Sequence, residues 1–223
     1  MSINRVTTKR KIIKRDKYDI LDITKGPNNS YFLDELAIVQ YFPNFLSKNM
    51  QKDLTSELLD SGDVPWKHGI YKMYGKEIPT PRLLYAMRDE DVDITKSYSV
   101  TGSVPWTKNM LKLKKMVEKI TGKEYTYAQL NHYRDGDDYI GYHTDSEVQD
   151  GDVIASISLG AARRFQFRHI NYRENTMPDY EMTLEPGSLI IMNEYAAKHH
   201  WKHQLPKMPK LREERINITF RPK

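Results

Sequence analysis

The chain has 223 residues, of which 39% are hydrophobic and 29% are charged, a composition typical of one globular domain with a sizeable core. It contains no cysteine, which excludes disulfides, zinc–thiolate sites and iron–sulfur clusters. No apolar run reaches membrane-spanning length, and the N-terminus lacks the apolar segment of a signal peptide, so we expect an intracellular protein without a membrane partner.

The formal net charge of +5 is concentrated at the N-terminus. Residues 1–25 hold eight Lys or Arg and three Asp, so this segment accounts for the whole excess of positive charge. We expect residues 1–30 to be a basic, flexible tail and residues 31–223 to be one folded domain. Such a tail can attract a polyanion or act as a nuclear address, and it is equally typical of a solvated terminus with no partner.

Helical patterns occur in the first half of the chain. The segment "AIVQYFPNFLS" (37–47) predicts a strand that ends in a turn, and Ser47 is placed to cap a helix after it. Thr107 is placed to cap a second helix, and Gly122 follows the end of its apolar periodicity. Between these helices, residues 64–106 are rich in Gly, Pro and Tyr and predict hairpins and loops.

From Tyr125 onward, apolar residues alternate with polar ones, which is the period of a β-strand. The predicted strands are "YAQLNHY", "VIASISLG", "RRFQFRH", "YEMTLEPGSLIIMN" and "RINITFR", separated by turn residues. Short strands at this spacing favour a sandwich, barrel or jelly roll. With the early helices covering one face, the sequence predicts an α+β fold.

The last of these strands, "RINITFR", has two chemically different faces. Ile216, Ile218 and Phe220 form an apolar face, and the other face carries only hydrogen-bonding groups, namely Arg215, Asn217, Thr219 and Arg221. An edge strand with one side in solvent would explain this pattern. If the polar face instead lines a barrel, two buried guanidiniums require anions, and a dicarboxylate matches them bidentately.

A second feature is the short motif "HTD", which contains His143 and Asp145. Residues two apart on extended backbone point the same way, so both side chains can reach one ion. A histidine and a carboxylate together with one distant histidine would make the facial triad of non-haem Fe(II) oxygenases, although His143 taken alone is more typical of a surface or turn histidine. The distant histidine must come from 199–203 or from His68, His132 or His169, and alternation alone cannot choose between His200 and His203.

The order of these motifs resembles the AlkB family of Fe(II)- and 2-oxoglutarate-dependent dioxygenases, most closely its animal-type DNA-repair members. The motifs that carry the resemblance are "LNHYRDG", "YIGYHTDSE", "SISLGAARRFQFRH", "PGSLIIMN", "HWKHQLP" and "RINITFR". The resemblance extends from about Tyr41 to Arg221. It implies that residues 31–223 form a double-stranded β-helix (a jelly-roll variant) with a nucleotide-recognition lid of hairpins at about 64–106.

The resemblance also implies a set of site residues. The iron ligands and catalytic centre would be His143, Asp145 and His203. The 2-oxoglutarate carboxylates would be clamped by Arg215 and Arg221, and the same pocket would be lined by Asn131, Tyr133, Asn217 and Thr219.

The implied substrate contacts lie mainly in the lid. Tyr74 and Gly75 would form a hairpin tip that fills the gap left by a flipped base, and Lys76 and Arg82 would contact phosphates or the lid. The base pocket would be formed by Tyr98, Ser99, Val100, Ser146 and Glu147. In this set Val100 offers no aromatic face, and Ser146 stands where relatives carry an acidic residue, a loss for which Glu147 can compensate.

The implied function is oxidative demethylation of N-alkylated bases in DNA, such as 1-methyladenine and 3-methylcytosine, with Fe(II), 2-oxoglutarate and O2. Nucleic acid would be the partner of a monomeric enzyme. Two alternatives stay open: an AlkB-like oxygenase that acts on RNA, a protein or a lipid, and a catalytically dead nucleic-acid-binding module.

Overall fold

The computed structural model describes residues 12–15, 18–22, 29–73, 75–92, 102–174 and 177–221. The sequence predictions for Tyr74, Tyr98, Ser99 and Val100 lie outside these residues. The described strands are β1 (Ile12–Arg15), β2 (Tyr18–Asp22), β3 (Ser30–Phe32), β4 (Ile38–Phe42), β5 (Lys67–Met73), β6 (Lys76–Arg88), β7 (Ser103–Pro105), β8 (Tyr127–Tyr133), β9 (Ile140–His143), β10 (Val153–Gly160), β11 (Arg163–His169), β12 (Asp179–Leu184), β13 (Leu189–Asn193), β14 (Trp201–Leu205) and β15 (Arg215–Arg221). The helices are α1 (Lys48–Leu59), α2 (Lys108–Thr121) and a π-helical turn, Tyr195–His199.

Strands β8 to β15 form the centre of the molecule as two four-stranded layers. The major layer has the order β13-β10-β15-β8, and the minor layer has the order β12-β11-β14-β9. Apolar side chains from both layers pack into one shared core, so the layers face each other. The predicted double-stranded β-helix is therefore confirmed, and strands β3 to β7 extend the major layer at its two edges.

The two α-helices cover the outer face of the major layer. Leu54 of α1 and Leu113 of α2 belong to the same buried cluster as Ile216, Ile218 and Phe220 of β15. The helices begin and end near the residues that the sequence indicated. The Ser47 hydroxyl accepts a hydrogen bond from the Met50 amide at 3.3 Å, and Gly122 closes α2 in the left-handed conformation with φ 66°.

Thr107 precedes α2 as predicted, but its side chain does not cap that helix. Its hydroxyl donates instead to the carboxylate of Glu57, on α1. The same carboxylate accepts a hydrogen bond from the Asn109 amide in the first turn of α2 at 3.2 Å. The prediction of a threonine cap was wrong because a stronger acceptor, a carboxylate near the positive end of the helix dipole, reaches this position from the neighbouring helix.

The β5–β6 hairpin lies within the predicted lid and is continuous with the barrel. Strand β6 is thirteen residues long, pairs with β5 in its first half and with β8 in its second half, and so joins the lid to the major layer. The exposed side chains of Ile70 and Ile78 lie on this hairpin. Within the described part of residues 64–106, the structure therefore contains a hairpin, as predicted.

At the N-terminus, β1 and β2 form a hairpin, and β2 pairs in parallel with β12 of the minor layer. The predicted boundary at residue 30 between a flexible tail and a folded domain stays a prediction. Strands β1 and β2 both lie before that boundary. Among the described residues, no helix has both the length and the apolar character needed to cross a membrane.

We expect Glu57→Ala to lower the free energy of unfolding by about 1–2 kcal/mol, because it removes the acceptor for the N-terminus of α2 and the link between the helices. Urea unfolding followed by circular dichroism measures this change. Lys112→Ala, on the exposed side of α2, is the matched control and should change the stability little. Equal stability of the two variants would contradict the capping role of Glu57.

Candidate active site

The polar face of β15 lines a cavity between the two layers. Strand β15 is flanked by β10 and β8, so it is a central strand and the edge-strand explanation of its pattern is excluded. Its polar side chains are all buried, with exposures of 2% for Arg215, 7% for Asn217, 9% for Thr219 and 7% for Arg221. They line one cavity together with residues of the minor layer, so the polar face points into the barrel.

The structure brings His143, Asp145 and His203 together in this cavity. His143 and His203 lie directly opposite each other on β9 and β14, with ring centroids 4.3 Å apart. Asp145 Oδ2 is 3.3 Å from His203 Nε2, and one donor atom of each residue lies within 4.8 Å of the others. Donors bound at right angles around a first-row metal ion are about 3 Å apart, so the three residues fit one ion with little adjustment.

The surroundings of His143 and Asp145 also favour the protonation states that metal binding requires. The Gly141 carbonyl can only accept, so His143 Nδ1 donates to it at 2.9 Å, and Nε2 keeps its lone pair. Desolvation, with a contribution from His203, lowers the pKa of His143 to about 3. Burial opposes the charged form of Asp145, but Arg221, His203 and His143 together outweigh burial and hold the pKa of this carboxyl well below its usual range.

The structure shows which of the clustered histidines, His199, His200 and His203, faces the cavity, a question that sequence alternation left open. His199 pairs with Asp150 on the half-exposed surface at 3.0 Å. His200 ends the π-helical turn and pairs with Asp34 at 3.0 Å, outside the cavity. His203 is 4% exposed and lines the cavity, so it is the histidine of this cluster that can complete the triad.

The two arginines of β15 have different partners. Arg221 donates from Nη2 to Asp145 Oδ1 at 2.6 Å and from Nη1 to Glu147, so its charge is compensated by neighbouring carboxylates. Arg215 donates to the Ser158 hydroxyl at 2.8 Å, and its Nε has no hydrogen-bond partner among the described residues. No carboxylate in the described part of the chain pairs with Arg215, and burial lowers its pKa to about 10. Arg215 is therefore a position where a bound anion would be strongly stabilised.

An amide network connects the neighbouring strands of the major layer inside the cavity. Asn131 and Asn217 are cross-strand partners, and Asn131 Nδ2 donates to Asn217 Oδ1 at 3.2 Å. Thr219 donates to the same oxygen at 2.9 Å, and Asn217 Nδ2 donates to Ser156 at 2.5 Å. These bonds fix which end of each amide points into the cavity.

Several cavity residues were missed from the sequence. They are Gln129 and Ser156, and the signal for Gln129 was its spacing from Asn131 and Tyr133. Ser158, which accepts a hydrogen bond from Arg215, was missed as well. Arg163 was also missed; it is fully buried and donates to the backbone carbonyls of Asp135, Asp138 and Pro206, next to the Tyr133 ring.

The cavity opens into a groove on the lid side. Arg82, Gln129, His143 and Asp145 line both spaces, so a molecule in the groove can reach His143 and Asp145 directly. The groove is also lined by Tyr71, Ile78, Pro79, Pro81, Tyr139, Tyr142, Thr144, Ser146 and Glu147.

The predicted substrate contacts are divided between the surface and the interior. Gly75, at φ 73°, and Lys76 are exposed next to the hairpin tip, and Ser146 is exposed at the groove. Glu147 accepts a hydrogen bond from Arg221, and its compensation for the missing acidic charge at Ser146 stays a prediction. Arg82 is only 2% exposed, and its expected contact with phosphates or the lid stays a prediction.

Comparisons with known proteins agree with this geometry. The family model described as "2OG-Fe(II) oxygenase superfamily" matches residues 38–221. "DNA oxidative demethylase ALKBH2" of Bos taurus is 33% identical over 156 residues, which are 67% of this chain and 56% of that protein. The Homo sapiens protein of the same name is also 33% identical over 156 residues, covering 67% of this chain and 59% of that protein. The chain thus matches little more than half of the length of these two relatives.

"Alpha-ketoglutarate-dependent dioxygenase alkB homolog 3" of Rattus norvegicus is 35% identical over 217 residues, covering 92% of this chain and 69% of that protein. Among solved structures, "The structure of OsALKBH1" superposes with a TM-score of 0.59 at 16% identity, covering 87% of this chain and all of that one. This structural likeness supports the fold alone.

We expect His203→Ala to abolish binding of a divalent metal ion and His200→Ala to retain it, because only His203 faces the cavity. Titration with Mn(II) or Co(II), followed by calorimetry or by the cobalt absorption spectrum, measures this difference. His143→Ala and Asp145→Ala should resemble His203→Ala. Loss of metal from the His200 variant, with retention by the His203 variant, would overturn the assignment.

We also expect the metal-free protein to lose stability as the pH falls from about 6.5 towards about 4. In this window the unfolded chain protonates His143, whereas the folded protein, in which its pKa is about 3, does not. The stabilising contribution of neutral His143 is complete above its unfolded pKa and decreases as the pH falls. Urea unfolding at several pH values measures this slope, which His143→Gln should flatten.

His199→Gln is the matched control for this measurement, because it removes a half-exposed histidine outside the cavity. It should keep the slope of the unaltered protein. An unchanged slope in His143→Gln would show that another group causes the pH dependence.

Proposed function

Because the chain belongs to the AlkB family within the 2OG-Fe(II) oxygenase superfamily, we propose that it is an Fe(II)- and 2-oxoglutarate-dependent oxidative demethylase of N-alkylated bases in nucleic acid, with DNA as the first candidate. The observation that carries this proposal is the convergence in one cavity of a two-histidine, one-carboxylate cluster and an unpaired buried guanidinium. Neither feature is useful to a purely structural barrel, since each costs stability without a ligand.

The proposed metal ligands are His143, Asp145 and His203. Two neutral imidazoles and one carboxylate suit Fe(II), and three protein ligands leave coordination positions for a co-substrate and oxygen. Arg221 would orient Asp145 by its hydrogen bond, and the Gly141 carbonyl would orient His143. When bound there, iron with 2-oxoglutarate and oxygen supplies the oxidation of the methyl carbon.

The proposed co-substrate pocket is the remainder of the cavity. Arg215 and Arg221 are six residues apart on one strand, so their Cα atoms are separated by about 20 Å and their guanidiniums cannot share one carboxylate. Arg215 would hold the carboxylate farther from the metal, with Tyr133 beside it; the Arg215 guanidinium lies 5.3 Å from the Tyr133 ring centroid. Asn131, Asn217 and Thr219 would line the pocket between the two ends.

The groove is suited to a planar base that has left its stack. Ile78 and Tyr139 are 40% and 37% exposed at its wall, and a bound base would reduce this exposure. A methylated base in the groove would approach His143 at the shared boundary with the cavity. Because chemistry at a base edge requires removal from the duplex, the hairpin next to the groove is the candidate element for base flipping, and the wedge role of Tyr74 stays a prediction.

In the overall reaction, the N-methyl group is converted to N-hydroxymethyl, which releases formaldehyde and leaves the unmethylated base. One molecule of O2 is consumed, and 2-oxoglutarate is converted to succinate and carbon dioxide. A nuclear address in the basic N-terminal segment and a monomeric state are further parts of the proposal. They rest on the charge distribution of residues 1–25 and on the completeness of the site within one chain.

The deciding experiment is mass-spectrometric detection of demethylation in matched DNA and RNA oligonucleotides, single- and double-stranded, that carry 1-methyladenine or 3-methylcytosine. Demethylation of DNA, with stoichiometric succinate, supports the proposal. A response to RNA alone would change the substrate class within the family. Succinate formation that no nucleic acid stimulates would indicate a protein or lipid substrate, and a protein that neither turns over nor binds metal would be a non-catalytic module.

We expect Arg215→Ala to raise the 2-oxoglutarate concentration needed for half-maximal turnover by about 10- to 100-fold, the effect of losing a charge-assisted hydrogen bond. The concentration of oligonucleotide needed should change much less, because Arg215 lies inside the cavity and not in the groove. Arg212→Ala, an exposed arginine three residues away, is the control. An equal rise for both substrates would contradict the assignment of Arg215.

A further inference from the structure

Arg82 is a buried cation for which the site as described so far has no use. Its side chain is 2% exposed, and no acidic side chain among the described residues pairs with it. One of its terminal nitrogens, Nη1, is buried without any hydrogen-bond partner there. A guanidinium in this environment is destabilising unless an anion or another strong acceptor occupies the neighbouring space.

The position of Arg82 indicates where that acceptor lies. The residue lines both the inner cavity and the groove, so it stands at the boundary between the co-substrate pocket and the proposed base pocket. Its Nε donates to Asn131 Oδ1 at 2.7 Å, and its guanidinium carbon is 5.9 Å from the centroid of the Tyr133 ring. Both neighbours belong to the wall of the inner cavity, so the guanidinium group lies against that wall.

The bond to Asn131 has a second effect. Because Asn131 Oδ1 accepts a hydrogen bond from Arg82, the amide nitrogen of Asn131 points the other way. This nitrogen donates to Asn217 Oδ1 at 3.2 Å. Arg82 thereby fixes the amide orientation at the start of a network that continues to Ser156. Arg82 is also on β6, the strand that continues from the lid hairpin.

We propose that Arg82 is a co-substrate-binding residue, whose free guanidinium nitrogen donates to a carboxylate oxygen of 2-oxoglutarate at the boundary of the two cavities. This inference rests on the proposed function. It adds a third guanidinium to the arginine pair of β15, and it assigns Arg82 to the interior of the site and not to the phosphate backbone of a nucleic acid.

The test is calorimetric binding of N-oxalylglycine, a non-reactive 2-oxoglutarate analogue, to the Mn(II)-loaded protein. We expect Arg82→Gln to weaken binding by about 10- to 100-fold, the usual effect of losing a hydrogen bond to a charged group. Arg82→Lys keeps the charge and should restore part of the affinity. The affinity for Mn(II) alone should stay unchanged in both variants, which a general disruption of the site would not allow.

Arg88→Gln is the matched control. Arg88 lies on the same strand and is hydrogen-bonded to Ser103 and to backbone carbonyls, but it does not line the cavity. This variant should bind N-oxalylglycine as the unaltered protein does. Thermal unfolding of all variants identifies any that fail to fold, and Arg82→Lys, the more conservative change, then decides the question.

Three results would overturn the inference. If Arg82→Gln binds N-oxalylglycine normally, Arg82 does not contact the co-substrate. The Arg82→Gln variant could instead bind N-oxalylglycine normally but lose turnover on 3-methylcytosine and not on 1-methyladenine. Arg82 would then contact the carbonyl beside the methylated nitrogen of 3-methylcytosine, a group that 1-methyladenine lacks. If the unaltered protein with Mn(II) does not bind N-oxalylglycine, the proposed function fails as well, so the two failures are distinguishable.

Discussion

The opposed faces of β15 are the constraint on which the rest of the structure depends. The strand is held between β10 and β8, so neither face can be left to solvent. The apolar face requires an apolar cover, which α1 and α2 provide. The polar face requires partners inside the barrel. The amide network and the carboxylates near Arg221 are such partners, whereas Arg215 has no acidic partner among the described residues. One seven-residue alternation therefore determines both where the helices pack and where the cavity lies.

The balance of charge in the cavity favours an anionic occupant. Asp145 is already paired with Arg221, whereas Arg82 and Arg215 have no acidic partner among the described residues. Holding two unpaired guanidiniums in the interior destabilises the empty protein, and a small diacid removes part of that cost when it binds. The rigid strands of the major layer keep the donors in place before the ligand arrives, which reduces the ordering that binding itself requires.

The sequence was most informative where the period of two was uninterrupted. Strands β8, β10, β11 and β15 coincide with predicted segments, because apolar alternation and flanking turn residues define them locally. The triad and the arginine pair were identified from the order of several motifs, since no single motif was specific enough. The likeness to the AlkB family that these motifs indicated is confirmed by the comparisons.

Other features depended on contacts that no local pattern encodes. Alternation could not separate His200 from His203, because a π-helical turn ends at His199 and β14 begins only at Trp201. The interior position of Arg82 follows from the pairing of β6 with β8, and the capping of α2 by Glu57 follows from how the two helices pack. The sequence analysis did not identify Gln129 and the serines of β10 as site residues, because glutamine and serine are common residue types on any strand.

The π-helical turn also has a consequence for how this chain can change over time. The amide of Asp145 donates to the carbonyl of Ala197 at 2.9 Å, so the turn is hydrogen-bonded directly to the loop that carries this carboxylate. His203 follows only six positions later, on the strand that pairs with the other histidine. Insertion or deletion of a single residue in this stretch would break the hydrogen bond between Asp145 and Ala197 or rotate His203 out of the barrel. The number of residues between Ala197 and His203 is therefore strictly limited, and a lineage could replace the side chains between these two residues more readily than it could alter their spacing.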